Sequence, residues 1–465
     1  MSPMRSAQPS KRTARLDWVD LPHYGAPDVE PELAPEIYAA RLTRLRVLMD
    51  AAGHDVLLVW ADREHSANIS YLTGFDPRFE EALLIIGRDD QAVLVGNENW
   101  GTAGVAPLPM RRHRFQDFSL PGQPRDKSRP LADILREEGI GETSRVGLVG
   151  WKTYAQPWMT DMPAYLVDTI RGISAADNVR NATGLLIDSG TGMRVINEPE
   201  QIAYLEWAAC HVSDGVRRLL WNLRLGMTEH EAVALLGWNG TPLSCHLMLT
   251  AGPRAKFGLM SPSDRRIARA DPFTTAYGIW GALTCRAGFL VEDAIELPPP
   301  IRDYVDRLAA PYFEVVAEWL EALYVGQTGG ALNEVIARRL ADPFYGIFLN
   351  PGHQIQLDEW VNSPVAPGSE TELRSGMALQ VDIIPATGTE YFTSNIEDGV
   401  ALADESLRAV LAARYPDMWQ RVTQRRAFMS GQLGINLHPD VLPLSNLAGY
   451  LPPFLLQPDR ALTLA

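Results

Sequence analysis

Three short segments in the last quarter of the chain carry side chains that can move a proton: GHQIQLDEW from Gly352 to Trp360, SGMALQVDIIP from Ser375 to Pro385, and NIEDGVALAD from Asn395 to Asp404. Imidazole titrates nearest neutrality, so a histidine oriented by a carboxylate is the natural proton carrier. A gap upstream is equally informative. Between Asp271 and Glu292 the stretch PFTTAYGIWGALTCRAGFLV has no acidic residue.

In order and spacing the three segments resemble the frame of the pita-bread superfamily of creatinase, aminopeptidase P, prolidase and methionine aminopeptidase, in which G-H-x-I-G precedes P-G-M-x-x-x-I-E-P and then I-E-D. GMTEHEAVALL from Gly226 resembles the helix opening of that superfamily. LTAGPRAKFGLMSPSDRRIARAD resembles its strand, active-site loop and hairpin entry, and ANISYLTGF from Ala67 to Phe75 resembles the N-terminal domain of creatinase and prolidase. The resemblance covers nearly the whole chain. It implies an α/β creatinase-like N-terminal domain followed by an α+β pita-bread domain, a curved antiparallel sheet covered by helices.

The metal-dependent relatives hold two adjacent divalent ions with two aspartates, one histidine and two glutamates, because hard cations need several anionic oxygens and a bridging carboxylate. The resemblance carries the histidine onto His353, the first glutamate onto Asp382 and the second onto Glu397. The two aspartates fall on Ala276 and on Leu283 or its neighbourhood, inside the acid-free gap. The expectation is therefore no metal cofactor, with His353, Asp382 and Glu397 as the remnant that would hold a single ion. Creatinase is the precedent for metal-free C–N cleavage of a small guanidino acid. Its catalytic histidine maps here to Leu259 or Met260, and the second histidine of the peptidases maps near Trp360 or Val361, so neither mechanism carries over whole.

The candidate catalytic residues are His353, Asp382, Glu397 and His246, the last in LSCHLML, which should line the sheet or point away from it. Cys285, or Cys245 beside His246, offers a nucleophile in principle, but free cysteine is usually buried and inert. Arg286 suits a substrate carboxylate, since a guanidinium binds one bidentately. Its alternative is a salt bridge to Asp382 or Glu397. Asp358 and Trp360 suit the cationic end of a ligand, an indole face and an acid being its natural partners, with Trp280 as a second wall or as core. By resemblance to creatinase, Arg78 and Phe79 cap the active site of a partner subunit, with Glu80 or Glu81 pairing Arg78. That reading requires a homodimer.

The elements that position these groups follow from apolar periodicity. The segment from about Ala34 to Gly53 has helical spacing, DVLLVW, ALLIIG, AVLVG and RVGLVGW read as strands, and EPEQIAYLEWAACHVSDGVRRLLWNL and IRDYVDRLAAPYFEVVAEWLEALYVG read as long helices. These divide the 465 residues into a mobile tail over 1–33, an N-terminal domain over 34–188 and a pita-bread domain over 189–465. A formal charge of −15 argues against a nucleic-acid partner. The first residues lack the apolar run of a signal or membrane span, and the three cysteines have no metal or redox spacing, which suits the cytoplasm and no membrane partner. The expected activity is that of a metal-independent, creatinase-like hydrolase or lyase cleaving a C–N bond in a small amino-acid-derived or guanidino-type compound. Two alternatives stand beside it: an Xaa-Pro dipeptidase or aminopeptidase with a reduced metal site, and a non-catalytic pita-bread binding module.

Overall fold

The computed structural model describes residues 12–465. Residues 1–11, part of the segment expected to be mobile, lie outside the described residues. The remainder of that segment does not behave as a tail. Strand β1 (Ala14–Trp18) pairs antiparallel with the last strand, β15 (Arg460–Leu464), from Ala14 opposite Leu464 to Trp18 opposite Arg460. Ala14, Val19 and Leu21 are buried, and this apolar anchoring holds the segment down.

Two compact units result, one of Glu32–Val195 and one that joins the residues up to Pro31 with Ile196–Ala465. The break expected after Asp188 falls after Val195, because the short helix Gly184–Ile187 and the turn Met193–Val195 pack on each other.

In the first unit, strands β2 (Val56–Ala61), β3 (Ala82–Ile86), β4 (Gln91–Val95), β5 (Arg111–Arg114), β6 (Val146–Val149) and β7 (Val179–Asn181) form a mixed sheet in the order β5-β4-β3-β2-β6-β7. Every residue of β2 and β3 is buried, as continuous apolar runs require of central strands. The helix Pro35–Ala51 fits its sequence prediction, with proline pre-set for the first turn.

The second unit is built on a wholly antiparallel sheet of β8 (Met248–Ala251), β9 (Pro272–Ile279), β10 (Ala282–Phe289), β11 (His353–Gln354), β12 (Ala378–Asp382), β13 (Asn395–Leu402) and β14 (Val441–Pro443). The order is β11-β12-β13-β10-β9-β8, with β14 also paired to β13. The helix Pro199–Asn222 packs on β9 and β10, and the helix Ala310–Glu321 packs on β12. The second helix starts later than its apolar spacing predicts. Val305–Ala309 forms a π-helical turn, and Pro311, which has no N–H to donate, accounts for the break in the regular ladder. A capping box between Thr228 and Glu231 opens the short helix Glu229–Ala234. Among the described residues, no helix is long and apolar enough to cross a membrane.

Candidate functional site

Register decides which side chains share a face of the second sheet. Met248 pairs with Ala276, Ala276 with Cys285, Cys285 with Glu397, and Glu397 with Asp382. One row therefore runs thioether, methyl, thiol, carboxylate, carboxylate across five strands. In the neighbouring row His353 lies opposite Gln380, and Gln380 opposite Gly399. With no side chain on Gly399 to obstruct it, Gln380 donates to the Leu283 carbonyl at 2.8 Å.

His353 enters through a strand of two residues. Gly352 before it adopts φ +119°, and a Cβ there would lie 2.6 Å from Cζ2 of Trp319, so only glycine lets the chain approach this closely. The chain then folds back on itself. Gln354 N–H donates to the Asn362 carbonyl at 2.7 Å and Val361 N–H donates to the Gln354 carbonyl at 2.9 Å. This hairpin brings Glu359 and Trp360 onto the histidine.

Around Nε2 of His353 stand Oε1 of Glu359 at 3.1 Å, Oε1 of Glu397 at 3.5 Å and Oδ2 of Asp382 at 3.9 Å. Nδ1 lies 3.3 Å from the Gln354 carbonyl, and the Trp360 indole stacks on the imidazole with centroids 4.1 Å apart at 17°. His353 is 0% exposed, yet Nε2 is aligned with none of the three carboxylates for a hydrogen bond. Oδ1 of Asp382 is likewise buried and unpaired.

The electrostatics follow from this crowding. Burial works against charge on His353, but the Glu359 carboxylate, with Glu397 and Asp382, outweighs it and raises the imidazole well above its usual range. Burial pushes Asp382 up to about 6 against the pull of His353. Glu397 is pushed well up by burial and by Asp382. His353, Asp382 and Glu397 are close enough to titrate together.

The other half of the face is apolar. Met248, Ala276, Leu283 and Cys285 form one cluster, and Cys245 packs against it. Burial, then Glu397 and Asp382, push the Cys285 thiol well up, which opposes the thiolate that a nucleophile would need. The paired-ion centre that the resemblance implies does not fit here: Ala276, and Leu283 or its neighbourhood, the positions onto which its two aspartates map, carry no acid and lie in this apolar cluster.

Several expected site residues stand elsewhere. Arg286 faces the opposite side of β10, fully buried, and binds Asp398 at 2.7 Å together with the carbonyls of Tyr450, Leu447 and Cys285. It has no free donor face for a substrate carboxylate, and its salt-bridge partner is neither Asp382 nor Glu397. His246 precedes β8, which starts only at Met248, and is exposed with Nε2 2.7 Å from the Leu259 carbonyl. It does not join His353, and the strand expected over LSCHLML is reduced there to a bridge from Leu243 to Ile279. Leu259 and Met260, onto one of which creatinase's histidine maps, are both exposed. Asp358 lies beside the cluster in sequence, but the carboxylate that reaches His353 is that of Glu359. Trp360 is in place, with one face covered by His353 and not open to a ligand. Trp280 is half-buried at the β9–β10 turn.

In the first unit Arg78 pairs with Asp76 at 3.0 Å, while Glu80 accepts the backbone N–H groups of Glu98 and Asn99, so the expected pairing with Glu80 or Glu81 is replaced by a local one. Phe79 is exposed. The residue that sequence reasoning missed is Glu359. Its signal was the acidic pair in LDEW, which does not say which carboxylate the hairpin turns inward.

Residues 41–157 match the family model described as the creatinase/prolidase N-terminal domain. No curated protein matches the chain. Among solved structures, prolidase from Pyrococcus horikoshii aligns with a TM-score of 0.60 at 16% identity, over 78% of this chain and 95% of its own. The dipeptidase PepE from Mycobacterium ulcerans aligns at 0.61 and 16% identity, over 80% and 95%. The Xaa-Pro dipeptidase from Bacillus anthracis aligns at 0.58 and 18%, over 79% and 96%. At these identities the likeness is one of fold.

Proposed function

We propose that this chain, a pita-bread protein with a creatinase/prolidase N-terminal domain, hydrolyses a C–N bond in a small amino-acid-derived compound. The observation that carries the reading is the convergence of buried His353, Asp382 and Glu397 with the partly exposed Glu359 into one group at the polar end of the sheet row. Dipeptides ending in proline are the first substrates to test, since the structural relatives include prolidases and an Xaa-Pro dipeptidase. Guanidino acids are the second, because the same three carboxylates suit a cationic nitrogen.

In this reading the scissile carbon sits above the Glu397–Asp382 end of the row. Sequence alone points to His353 as the proton carrier. The carboxylates that enclose its Nε2 leave that role to Asp382, whose unpaired Oδ1 takes a proton from the attacking water and returns it to the departing nitrogen. No proton is gained or lost over the cycle. His353, held between Gln354, Trp360 and Glu359, keeps the carboxylates at fixed separation. No step passes through a metal pair, for which Ala276 and Leu283 offer no ligand.

The test is incubation of the purified protein with Xaa-Pro dipeptides and, separately, with guanidino acids, following release of proline or of the free amine. Turnover of either class supports the reading. Folded protein that releases neither, with and without added divalent ions, sinks it.

A further inference from the structure

We infer that this chain binds one divalent first-row metal ion, in place of a pair, through His353, Glu359 and Glu397, with Glu359 a ligand contributed by the hairpin after β11 and not by the sheet. The inference uses the same cluster as the proposed reaction, but it is tested without substrate.

Three observations carry it. One ligand atom from each of His353, Glu359 and Glu397 lies within 4.8 Å of the other two. The Nε2–carboxylate separations of 3.1 and 3.5 Å match the edges of a coordination shell, since ligands about 2.1 Å from a common centre stand about 3.0–3.5 Å apart in octahedral or tetrahedral geometry. Second, Nε2 is completely buried and makes no aligned hydrogen bond, although three carboxylates surround it. Nδ1 lies 3.3 Å from the Gln354 carbonyl and Nε2 is the ring nitrogen turned toward the carboxylates, the placement that a metal-bound imidazole with an outer carbonyl partner requires.

Third, the cluster is short of positive charge. Among the described residues, the ion-pair partner of Glu359, Asp382 and Glu397 is His353 alone; the arginine of that region, Arg286, is committed to Asp398 on the other face. Buried carboxylates gathered without a matching cation are costly, and a dication offsets two of the three charges. The donor set, one imidazole nitrogen with carboxylate oxygens, selects Mn²⁺, Fe²⁺, Co²⁺ or Zn²⁺ over Mg²⁺ or Ca²⁺. The apolar cluster of Met248, Ala276, Leu283 and Cys285 holds the count to one. Asp382, farthest from Nε2 at 3.9 Å, stays outside the ligand set and free to carry a proton.

The experiment strips the full chain with a chelator, dialyses it against Mn²⁺ or Zn²⁺, and measures metal per chain by elemental analysis, with electron paramagnetic resonance of the Mn²⁺ form. We expect one ion per chain and an uncoupled Mn²⁺ signal carrying coupling from one imidazole nitrogen. Glu359→Gln should weaken binding at least about tenfold, whereas Glu370→Gln, at an exposed carboxylate of the same unit, should leave it unchanged. The resonance measurement uses unmodified protein, so a misfolded variant does not spare the inference. No bound ion, two ions per chain, a spin-coupled pair, or Glu359→Gln binding like the parent each overturns it. One ion bound without turnover of any substrate supports the site and counts against the proposed reaction.

Discussion

Cys285 and Glu397 face each other as register partners on β10 and β13, and between them the row changes from apolar to acidic. The thiol belongs to the apolar side. Its burial and the nearby carboxylates oppose its ionisation, so Cys285→Ala should retain hydrolytic activity and lose about 1–2 kcal/mol of stability from the small cavity. Urea unfolding beside an activity assay checks both. Loss of activity in a variant of near-parental stability would restore the cysteine nucleophile.

Arg286 and Asp398 form a fully buried pair whose remaining donors go to backbone carbonyls. Removing one partner strands the other charge in the core, at a cost of about 3–5 kcal/mol. Arg286→Met should therefore lower the unfolding midpoint sharply, while whatever protein stays folded keeps its KM. A raised KM at unchanged stability would mean that Arg286 binds substrate after all.

A second buried charge group lies away from the site. Glu206 bonds Arg425 at 2.8 Å and Arg421 at 2.7 and 2.8 Å. Burial opposes its ionisation, but Arg425 and Arg421 outweigh burial and hold the carboxyl below its usual range. A depressed folded pKa contributes stability above the unfolded value of about 4.3, and that contribution is lost as pH falls through the folded value. Thermal melts from pH 3 to pH 7 should show Glu206→Gln well below the parent at pH 7, with the two curves converging as pH falls below about 4. Parallel curves would contradict this account of the triad.

The apolar half of the row bears on substrate choice. A compound whose amine meets the carboxylates while its side chain lies toward Met248, Leu283 and Cys285 should have an apolar side chain there. Leu-Pro should accordingly exceed Asp-Pro in kcat/KM by at least about tenfold, the worth of one or two methylene-sized contacts in an apolar pocket. Equal values for the two dipeptides would place the side chain elsewhere.

Much of this was legible in the sequence, for physical reasons that differ by element. A short, β-branched apolar run such as VLLVWA reads as a buried strand, and it lies inside its sheet with every residue buried. His353, Asp382 and Glu397 were singled out through their motifs and lie together in the structure, and the absence of acid at Ala276 and Leu283 was visible directly. What was not legible depends on contacts remote in sequence. The β1–β15 pairing joins the two ends of the chain, so nothing local announces it. The side to which Arg286 points follows from strand parity only once Cys285 is known to pair with Glu397. Glu359 enters through the geometry of a hairpin in which its neighbour Asp358 is chemically equivalent.

The central claim, that the polar end of the row is a hydrolytic site, is tested most directly by steady-state turnover of Leu-Pro by the parent and by Asp382→Asn. The substitution keeps the shape of a side chain at the sheet surface and removes its ability to carry the proton. We predict that kcat falls about 10²–10⁴-fold with little change in KM, the range expected for loss of a general acid–base group. Parental kcat in Asp382→Asn would contradict the account.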